Sequence, residues 1–574
     1  MLSFSLASCN SKKAEEEPKK DDEQQVPVDD KGDGQDNPDN NQTNPDDNPP
    51  DDNGQTPDDP DDGEEPVKYQ KDEDGFYILE EDYYKASDNT SNVYIPQLVN
   101  EVEQYSQIKM FIGTERVPVY NVQVNMSNTW TPNNYSRRNS GYASIGIEEK
   151  VNIKIQANFS FLNDVVIRPL GRNVSFSIDS NRRVLSFSID EPGQYVLEMR
   201  SNRILHFFVE DINLMTKTQD SGTMYFAPGV HTKSNDNRIG GNNVINLSSN
   251  TKVQLAPGAF IYGKFMANNA SNIEIYGPGY VDGSSFDRDA NKGTVLVPLE
   301  FNYCSNITVK DVSFIDPAGW CYNMYFCNGV TISNTKIISS RSNGDGISIQ
   351  SCQNVEVSDS FVRSWDDSLV VKNYPRWDNR SVEGTTRSIH FDNCIIWTDL
   401  AQSMEIGYEC VGEVMDDIVF NNITVLHNYH KAVFSIHNGN NANITNVKFT
   451  NITVEDAAMG RGDGNKYLID FRNTHSSTWS DQHKVTGLGS IDTVLLENIL
   501  VLSGIENPVI AVEGCLEERS GYPNVGHYVN NVTIKDFYLY DSVLTSSYSN
   551  IKTNQYTNGF NVSSSGNNVT GAEY

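Results

Sequence analysis

The sequence predicts an all-β protein with an N-terminal β-sandwich, then a parallel β-helix, the whole preceded by a disordered acidic tether. Three observations carry this expectation. Between about residues 75 and 215, short segments alternate polar and apolar side chains and are separated by turn signals. From residue 220 onward, short β runs recur at irregular intervals of roughly 20–50 residues, the spacing of a solenoid. Residues 10–66 hold 21 Asp and Glu against 5 Lys and almost nothing apolar.

Taken in order, residues 1–9 read as a signal remnant. Leu6-Ala7-Ser8-Cys9 resembles a bacterial lipobox, in which the cysteine is lipidated and becomes the mature N-terminus, so Cys9 is the expected lipidation site. The plainer reading is a chance cysteine. The Ser/Lys/Glu-rich segment and the acidic spacer that follow favour the lipoprotein. Ser11-Lys12-Lys13-Ala14-Glu15-Glu16 resembles the export tags of surface lipoproteins in gut-type Gram-negative bacteria. The expected location is the bacterial outer membrane or cell surface, or the periplasm, with the membrane touched only through the lipid on Cys9. No later apolar run is long enough to span a bilayer.

Residues 10–70 form the linker. A segment this charged and this poor in apolar side chains cannot offset its chain entropy by burial. It supplies about half of the formal net charge of −33. The acidic surface argues against nucleic acid as a partner.

The sandwich spans 75–215. Val151-Asn152-Ile153-Lys154-Ile155, Val184-Leu185-Ser186-Phe187-Ser188-Ile189 and Tyr195-Val196-Leu197-Glu198-Met199 alternate at period two, and Glu191-Pro192-Gly193 is a tight turn. The expectation is an antiparallel sandwich. The helix spans 220–574. Its β runs include Asn272-Ile273-Glu274-Ile275, Asn306-Ile307-Thr308-Val309, Asn354-Val355-Glu356-Val357 and Asn446-Val447-Lys448-Phe449. A single rung cannot bury its inner face; stacking does it. Asn at the rung turns suggests stacked side-chain amides. Cys304, Cys327 and Cys352 each stand three residues before the first Val or Ile of the next rung. Cys410 and Cys515 also close β runs. Disulfides are one reading. An inward ladder of small apolar side chains is favoured, since equivalent positions on parallel rungs point the same way.

The chemistry-bearing feature is a pair of matching turns. Asn343-Gly344-Asp345-Gly346-Ile347-Ser348-Ile349 and Trp365-Asp366-Asp367-Ser368-Leu369-Val370-Val371 align on their apolar residues. Asp345 then falls opposite Asp367, with Asp366 beside it. Rungs lie about 4.8 Å apart, so three carboxylates gather on one rigid wall. Crowding raises at least one pKa and keeps a proton available for a leaving oxygen. Inverting glycosidases separate acid from base by roughly 6.5–9.5 Å so that a water fits. A single Asp in such a turn is ordinarily a polar turn residue; two turns in the same phase favour acid/base cleavage of a sugar–sugar bond.

These motifs resemble the polygalacturonase/dextranase superfamily of right-handed β-helix glycosidases, over residues 220–545. Polygalacturonases show Asn-x-Asp, then Asp-Asp on the next rung, then Gly-His-Gly, then Arg-x-Lys. The first two are matched by Asp345 and Asp366-Asp367. At the third, Ala401-Gln402-Ser403-Met404-Glu405-Ile406-Gly407 carries Gln402 where the His is expected, and no Arg-x-Lys stands on the later rung. Those basic groups grip a galacturonate carboxylate, so a pectic acid substrate is disfavoured. The chain is more similar to glycoside hydrolase family 49, the dextranase/isopullulanase family, whose members also carry an N-terminal β-sandwich. The similar phrases are Ile167-Arg168-Pro169-Leu170, Glu191-Pro192-Gly193-Gln194-Tyr195, Tyr225-Phe226-Ala227-Pro228-Gly229-Val230, Leu255-Ala256-Pro257-Gly258-Ala259, Ile396-Trp397, Glu405-Ile406-Gly407-Tyr408 and Val425-Leu426-His427. The resemblance implies Asp366 as general acid, Asp345 and Asp367 as shared general base, inversion at the anomeric carbon, and neither metal nor cofactor.

Substrate-binding candidates follow from phase and proximity. Gln402 and Lys431 align with Asp367 on the next two rungs, and Glu405 lies in the same segment as Gln402. Trp365, Lys372, Tyr374 and Trp377 flank the acidic pair; aromatics stack on sugar faces, although Trp365 equally suits a packed core. Lys431 reads either as a solvated wall lysine or as a sugar-hydroxyl donor. Trp320, Tyr322, His427 and His430 are weaker candidates. The expected function is an inverting glycoside hydrolase on a neutral α-glucan of the dextran or pullulan type, acting as a monomer. The alternatives are a polygalacturonase-like pectin hydrolase and a non-catalytic carbohydrate-binding β-helix. A polysaccharide lyase lacks its basic constellation here.

Overall fold

A computed structural model describes residues 70–79, 92–125, 137–161, 164–179, 183–200, 203–287, 296–373, 384–476, 480 and 487–573. Cys9, the acidic linker up to residue 69, Tyr374 and Trp377 lie outside the described residues.

Period-two alternation builds two packed sheets at the N-terminal end. One runs in the order Val93–Tyr94, Arg137–Ile147, Arg203–Asp211, Gly193–Arg200, Val166–Arg168, with Tyr120–Asn125 also pairing Arg137–Ile147. The other runs Glu115–Val117, Ile108–Ile112, Val151–Ala157, Val184–Ile189, Phe176–Asp179. Their inner faces bury Met110, Ile153, Leu185, Leu197 and Phe207. The antiparallel expectation needs one correction: Arg203–Asp211 runs parallel to Arg137–Ile147, from Leu205 opposite Gly141 to Asp211 opposite Ile147. Alternation is the same for either direction, so a sequence pattern does not distinguish them.

From Met224 to Ser563 the chain coils as a parallel β-helix. A typical rung has three strands, such as Gln353–Ser358, Phe361–Ser364 and Leu369–Asn373. First and second strands line up in one 21-stranded sheet and third strands in an 11-stranded sheet. The Asn-rich entries have a backbone cause. Asn272, Asn306, Asn354 and Asn446 adopt φ of 53–57°, and Asn334, Asp359 and Asn393 do so at the next corner with φ of 49–52°. Asn and Asp tolerate this left-handed region better than other non-glycine residues. Their amides also stack: Asn306 Nδ2 donates to Asn272 Oδ1 at 2.7 Å, and Asn272 to Asn250 at 2.9 Å.

The cysteines form the inward ladder rather than bridges at the first corner. Cys304, Cys327, Cys352 and Cys410 are buried thiols, and the Cys327 amide donates to Cys352 Sγ at 3.3 Å. Cys515 departs from this pattern: it is half-buried, in a two-residue strand paired with Gly526–His527. Inside the coil, Phe391, Phe420 and Phe449 stack with ring centroids 5.0 Å apart and planes within 3°. Phe420→Ala is expected to cost about 3–5 kcal/mol, because rung neighbours on both sides hold the cavity open. Urea unfolding checks this; a loss below ~1 kcal/mol would mean the coil relaxes into the space.

The sandwich docks on the outer face of the second strands. Their outward positions Phe260, Tyr280, Ile338, Phe361 and Trp397 pack with Tyr120, Tyr142 and Phe208 of the sandwich. Polar ties surround this cluster. Lys336 pairs with Glu210, Arg168 Nη1 with Glu455 at 2.7 Å, and Arg137 with Asp316. Buried Arg363 bonds both oxygens of Asp399 at 3.1 Å and lies 4.0 Å over the Trp397 ring. The sandwich therefore borders the corner where second strands turn into third strands.

Candidate active site

That corner carries the acidic residues. The third strands Ile347–Gln350, Leu369–Asn373, Met404–Cys410 and Phe434–Asn438 pair in parallel, with Ile347, Leu369, Met404 and Phe434 in one register. Gly346 N–H donates to Asp367 O at 2.8 Å and Ser368 N–H to Gln402 O at 3.0 Å, which extends the ladder back into the turns. Two residues before each strand, a column therefore reads Trp320, Asp345, Asp367, Gln402, Ala432. The glycines beside Asp345 make this possible. A Cβ on Gly344 would sit 2.3 Å from Ser339 Oγ, and one on Gly346 would sit 2.4 Å from Ser368 O.

The three carboxylates are nearly enclosed, at 2% exposure for Asp345, 6% for Asp366 and 9% for Asp367. Asp367 Oδ1 accepts the Gln402 amide at 2.9 Å, and Asp366 Oδ1 accepts the Asp367 amide at 3.0 Å. Asp345 Oδ1 is buried with no hydrogen-bond partner. Beneath the turn runs a hydroxyl chain, Ser364–Ser368–Thr398–Ser403, with links of 2.7, 2.7 and 2.9 Å. It ends on Asn428 Nδ2 at 2.7 Å, and Ser364 also holds the Asp366 carbonyl at 2.6 Å. These bonds fix the turn from below.

Burial pushes the Asp345 and Asp367 carboxyls well above the usual carboxylate range, and the neighbouring Asp366 charge pushes them further. Lys372 opposes this. Burial works against its ammonium, yet Glu409 and all three aspartates raise its pKa. It pairs with Glu409 Oε2 at 3.2 Å and lies 4.9 Å over the Trp320 ring. Crowded carboxyls of this kind titrate together rather than singly, the setting in which one member can hold a proton beside an ionised neighbour.

The remaining candidates divide. Gln402 is half-buried in the acidic column. Lys431 is not in phase with it; Ala432 is, and Lys431 stands opposite Ala401. The cause is a bulge one strand earlier, where Ile396 pairs Val425 but Trp397 pairs His427, so buried Leu426 adds a residue. Trp365 is 1% exposed and is core, so it offers no face to a sugar. Trp320, ranked lower from sequence, is the half-buried aromatic in the column. Tyr322 is core. His427 sits at the sandwich junction between Glu198 at 2.9 Å and Asp456 at 2.8 Å. His430, lowered to about 4 by burial and then by Lys431, holds the Arg461 carbonyl at 2.5 Å.

Of the charged patch beside the trio, sequence reading named Glu405 and missed His437, Asp470 and Arg472. Glu405 is outward-facing and buried, its charge raises Asp367, and its Oε1 contacts His437 Nδ1 at 2.9 Å. His437 Nε2 reaches Asp470 at 3.3 Å, Asp470 holds Arg472 at 2.5 Å, and Tyr408 stacks on the imidazole at 4.4 Å. Burial disfavours the imidazolium, but Glu405 and Asp470 raise its pKa to about 10. Such stabilisation is complete below the ordinary value of 6.5 and is lost as pH rises through about 10. His437→Gln is therefore expected to flatten the fall of Tm with pH across that window, read by calorimetry; an unchanged slope would remove His437 as its source.

The fold is a parallel β-helix whose wall carries the acidic column. Residues 241–398 match the family model described as Glycosyl hydrolases family 28, a segment that includes Asp345, Asp366 and Asp367. A probable polygalacturonase from Arabidopsis thaliana is 28% identical over 101 residues, 17% of this chain and 22% of that protein's length. Among solved structures, Dex49A from Penicillium minioluteum superposes with a TM-score of 0.52 at 14% identity, over 83% of this chain and 96% of that one. A hyperthermoactive exopolygalacturonase from Thermotoga maritima gives 0.39 at 16% identity, over 59% and 83%. The likeness to Dex49A is one of fold and extends through the N-terminal sandwich.

Proposed function

We propose that this protein is an inverting glycoside hydrolase acting on a neutral α-linked glucan of the dextran or pullulan type. The observation that carries the reading is the column of Asp345 and Asp367 with Asp366 beside it, all three carboxylates nearly enclosed. In this mechanism Asp366 gives its proton to the glycosidic oxygen as the bond to the anomeric carbon breaks. A water held by Asp345 and Asp367 attacks that carbon from the opposite side, and its proton passes to this carboxylate pair. The Lys372 ammonium works against the burial that disfavours ionising this pair. Trp320, half-buried in the same column, is the aromatic platform for a sugar ring.

The neutral substrate is supported by the wall's charges. Lys372, His437 and Arg472 are committed to Glu409, to Glu405 and Asp470, and to Asp470. A uronate carboxylate would meet a predominantly negative surface. The second reading, a polygalacturonase-like pectin hydrolase, is favoured by the family 28 match at residues 241–398. The lipobox-like Leu6-Ala7-Ser8-Cys9 and the acidic spacer support a lipid-anchored placement at the bacterial surface.

A reducing-sugar screen over dextran, pullulan and polygalacturonate tests the function, with the product anomer followed by NMR. Dextran or pullulan cleavage giving the inverted anomer is expected. Polygalacturonate cleavage alone would move the assignment to the second reading, and binding without turnover would make this a carbohydrate-binding β-helix.

A further inference from the structure

Away from the acidic column, a cavity of about 760 Å³ opens at the junction of the sandwich and the coil. The sandwich lines it with Glu101, Asn121, Gln123 and Arg137; the coil lines it with Tyr262, Asp282, Ser284, Phe286 and Asp316. We propose that this cavity is a distal glycan-binding site that receives the same neutral polysaccharide as the acidic column, a proposal that rests on the function argued above.

Register places the cavity relative to the chemistry. Asp282, Ile315, Ile338 and Arg363 occupy equivalent positions on four successive rungs. Asp366 and Asp367 follow Arg363 on the fourth, and Asp282 and Asp316 belong to the first and second. With rungs about 4.8 Å apart, the cavity lies about 10–15 Å from the acidic pair along one corner of the coil. A short oligosaccharide bridges that distance. The two places are also joined covalently and by hydrogen bonds. Arg341 stands four residues before Asp345 in the same turn; it donates to Asp316 Oδ2 at 2.9 Å and to the Ser284 carbonyl at 3.1 Å. Arg137, from the sandwich, reaches Asp316 and Ser340 Oγ, the latter at 3.0 Å. Both domains thus hold one rigid floor.

The lining chemistry selects the ligand class. Amides, hydroxyls and carboxylates share the lining with Tyr262 and Phe286, the mixture that recognises polyhydroxylated rings. Asp282 is 3% exposed; its Oδ1 accepts the Ser284 amide at 2.8 Å and its carboxyl also bonds the Tyr262 and Ser284 side chains, so these two residues are held in place on the cavity wall. Of the two cationic lining side chains, Arg137 is spent on Asp316, and Lys233 faces Glu101 and Glu103 in the same lining, a balance that does not favour phosphate, sulfate or uronate.

Ser284 is exposed, and Ser284→Trp would fill the cavity without touching the acidic column. On the full chain, kcat/KM is measured with isomaltotriose and with dextran. The expected result is an unchanged value for the short substrate and a fall of about tenfold for dextran, carried by KM. Equal values on dextran for variant and wild type would overturn the proposal. Gln123→Ala, which keeps the cavity open but removes a polar contact, provides a second measurement if the tryptophan disturbs folding. If the wild type turns over no glucan, the glycosidase reading fails separately. Saturation-transfer NMR with isomaltoheptaose then decides the cavity: signal lost in Ser284→Trp supports it, and signal retained or never present overturns it.

Discussion

Asp366→Asn is expected to lower kcat by about three orders of magnitude or more with little change in KM. General acid catalysis contributes typically ~10²–10⁴-fold, and an amide at this position has no proton to give the leaving oxygen. The substitution is nearly isosteric, and the turn is held by contacts the variant keeps, the Ser364 hydroxyl on the residue 366 carbonyl and the Asp367 amide on the side-chain oxygen. A companion effect separates this from misfolding. Burial and the Asp366 charge hold Asp345 and Asp367 above the ordinary carboxylate value of 3.8. Carboxyls raised in this way favour the fold below about pH 3.8, and that contribution is lost as pH rises through their folded values. The general acid is uncharged when it acts, so Asn at position 366 should leave Tm at the working pH unchanged while activity disappears. Retention of more than about a tenth of the wild-type rate would take the acid role from Asp366.

Lys372→Met is expected to cost about 3–5 kcal/mol at neutral pH, the range for breaking a buried ion pair by removing one partner. The ammonium bonds Glu409 at 3.2 Å and its charge acts on Asp345, Asp366 and Asp367 as well. Without it, Glu409 is a buried carboxylate with no counter-ion, and the trio climbs further in pKa. The lysine's raised pKa keeps it charged throughout the working range, so the pH dependence comes from its partners. As Asp345 and Asp367 protonate in acid, the ammonium loses part of its value. The stability defect of Lys372→Met should therefore be largest at pH 7 and shrink towards pH 4, with the activity profile displaced to higher pH. Urea unfolding at the two pH values reads the first and a pH–rate profile the second. A defect independent of pH would mean that the lysine acts by packing alone.

The parts legible in the sequence and the parts that were not differ in range. Asp345 opposite Asp367 could be read because Ile347 and Leu369 mark the phase of each strand, and period two carries that phase into the preceding turn. The same counting placed Lys431 in the column and missed, because the bulge at Leu426 lies on another strand of the rung and leaves no periodic trace. Trp365 drew notice as a sequence neighbour of the acidic pair, yet its side chain is core. Trp320, 46 positions before Asp366, stands in the column through two strand pairings. Glu409, His437 and Asp470 came into view only once the third strands were laid side by side.

The strand pattern, the coil, the two acidic turns and the left-handed Asn corners were determined by the amino-acid order alone, since each depends on residues within one or two rungs. Tertiary structure decided the rest: which ammonium balances the carboxylates, which aromatic shares their column, and where the sandwich leaves a cavity. Those outcomes depend on pairings between distant segments and on how much water is excluded, and burial and charge in three dimensions are not encoded in any local period.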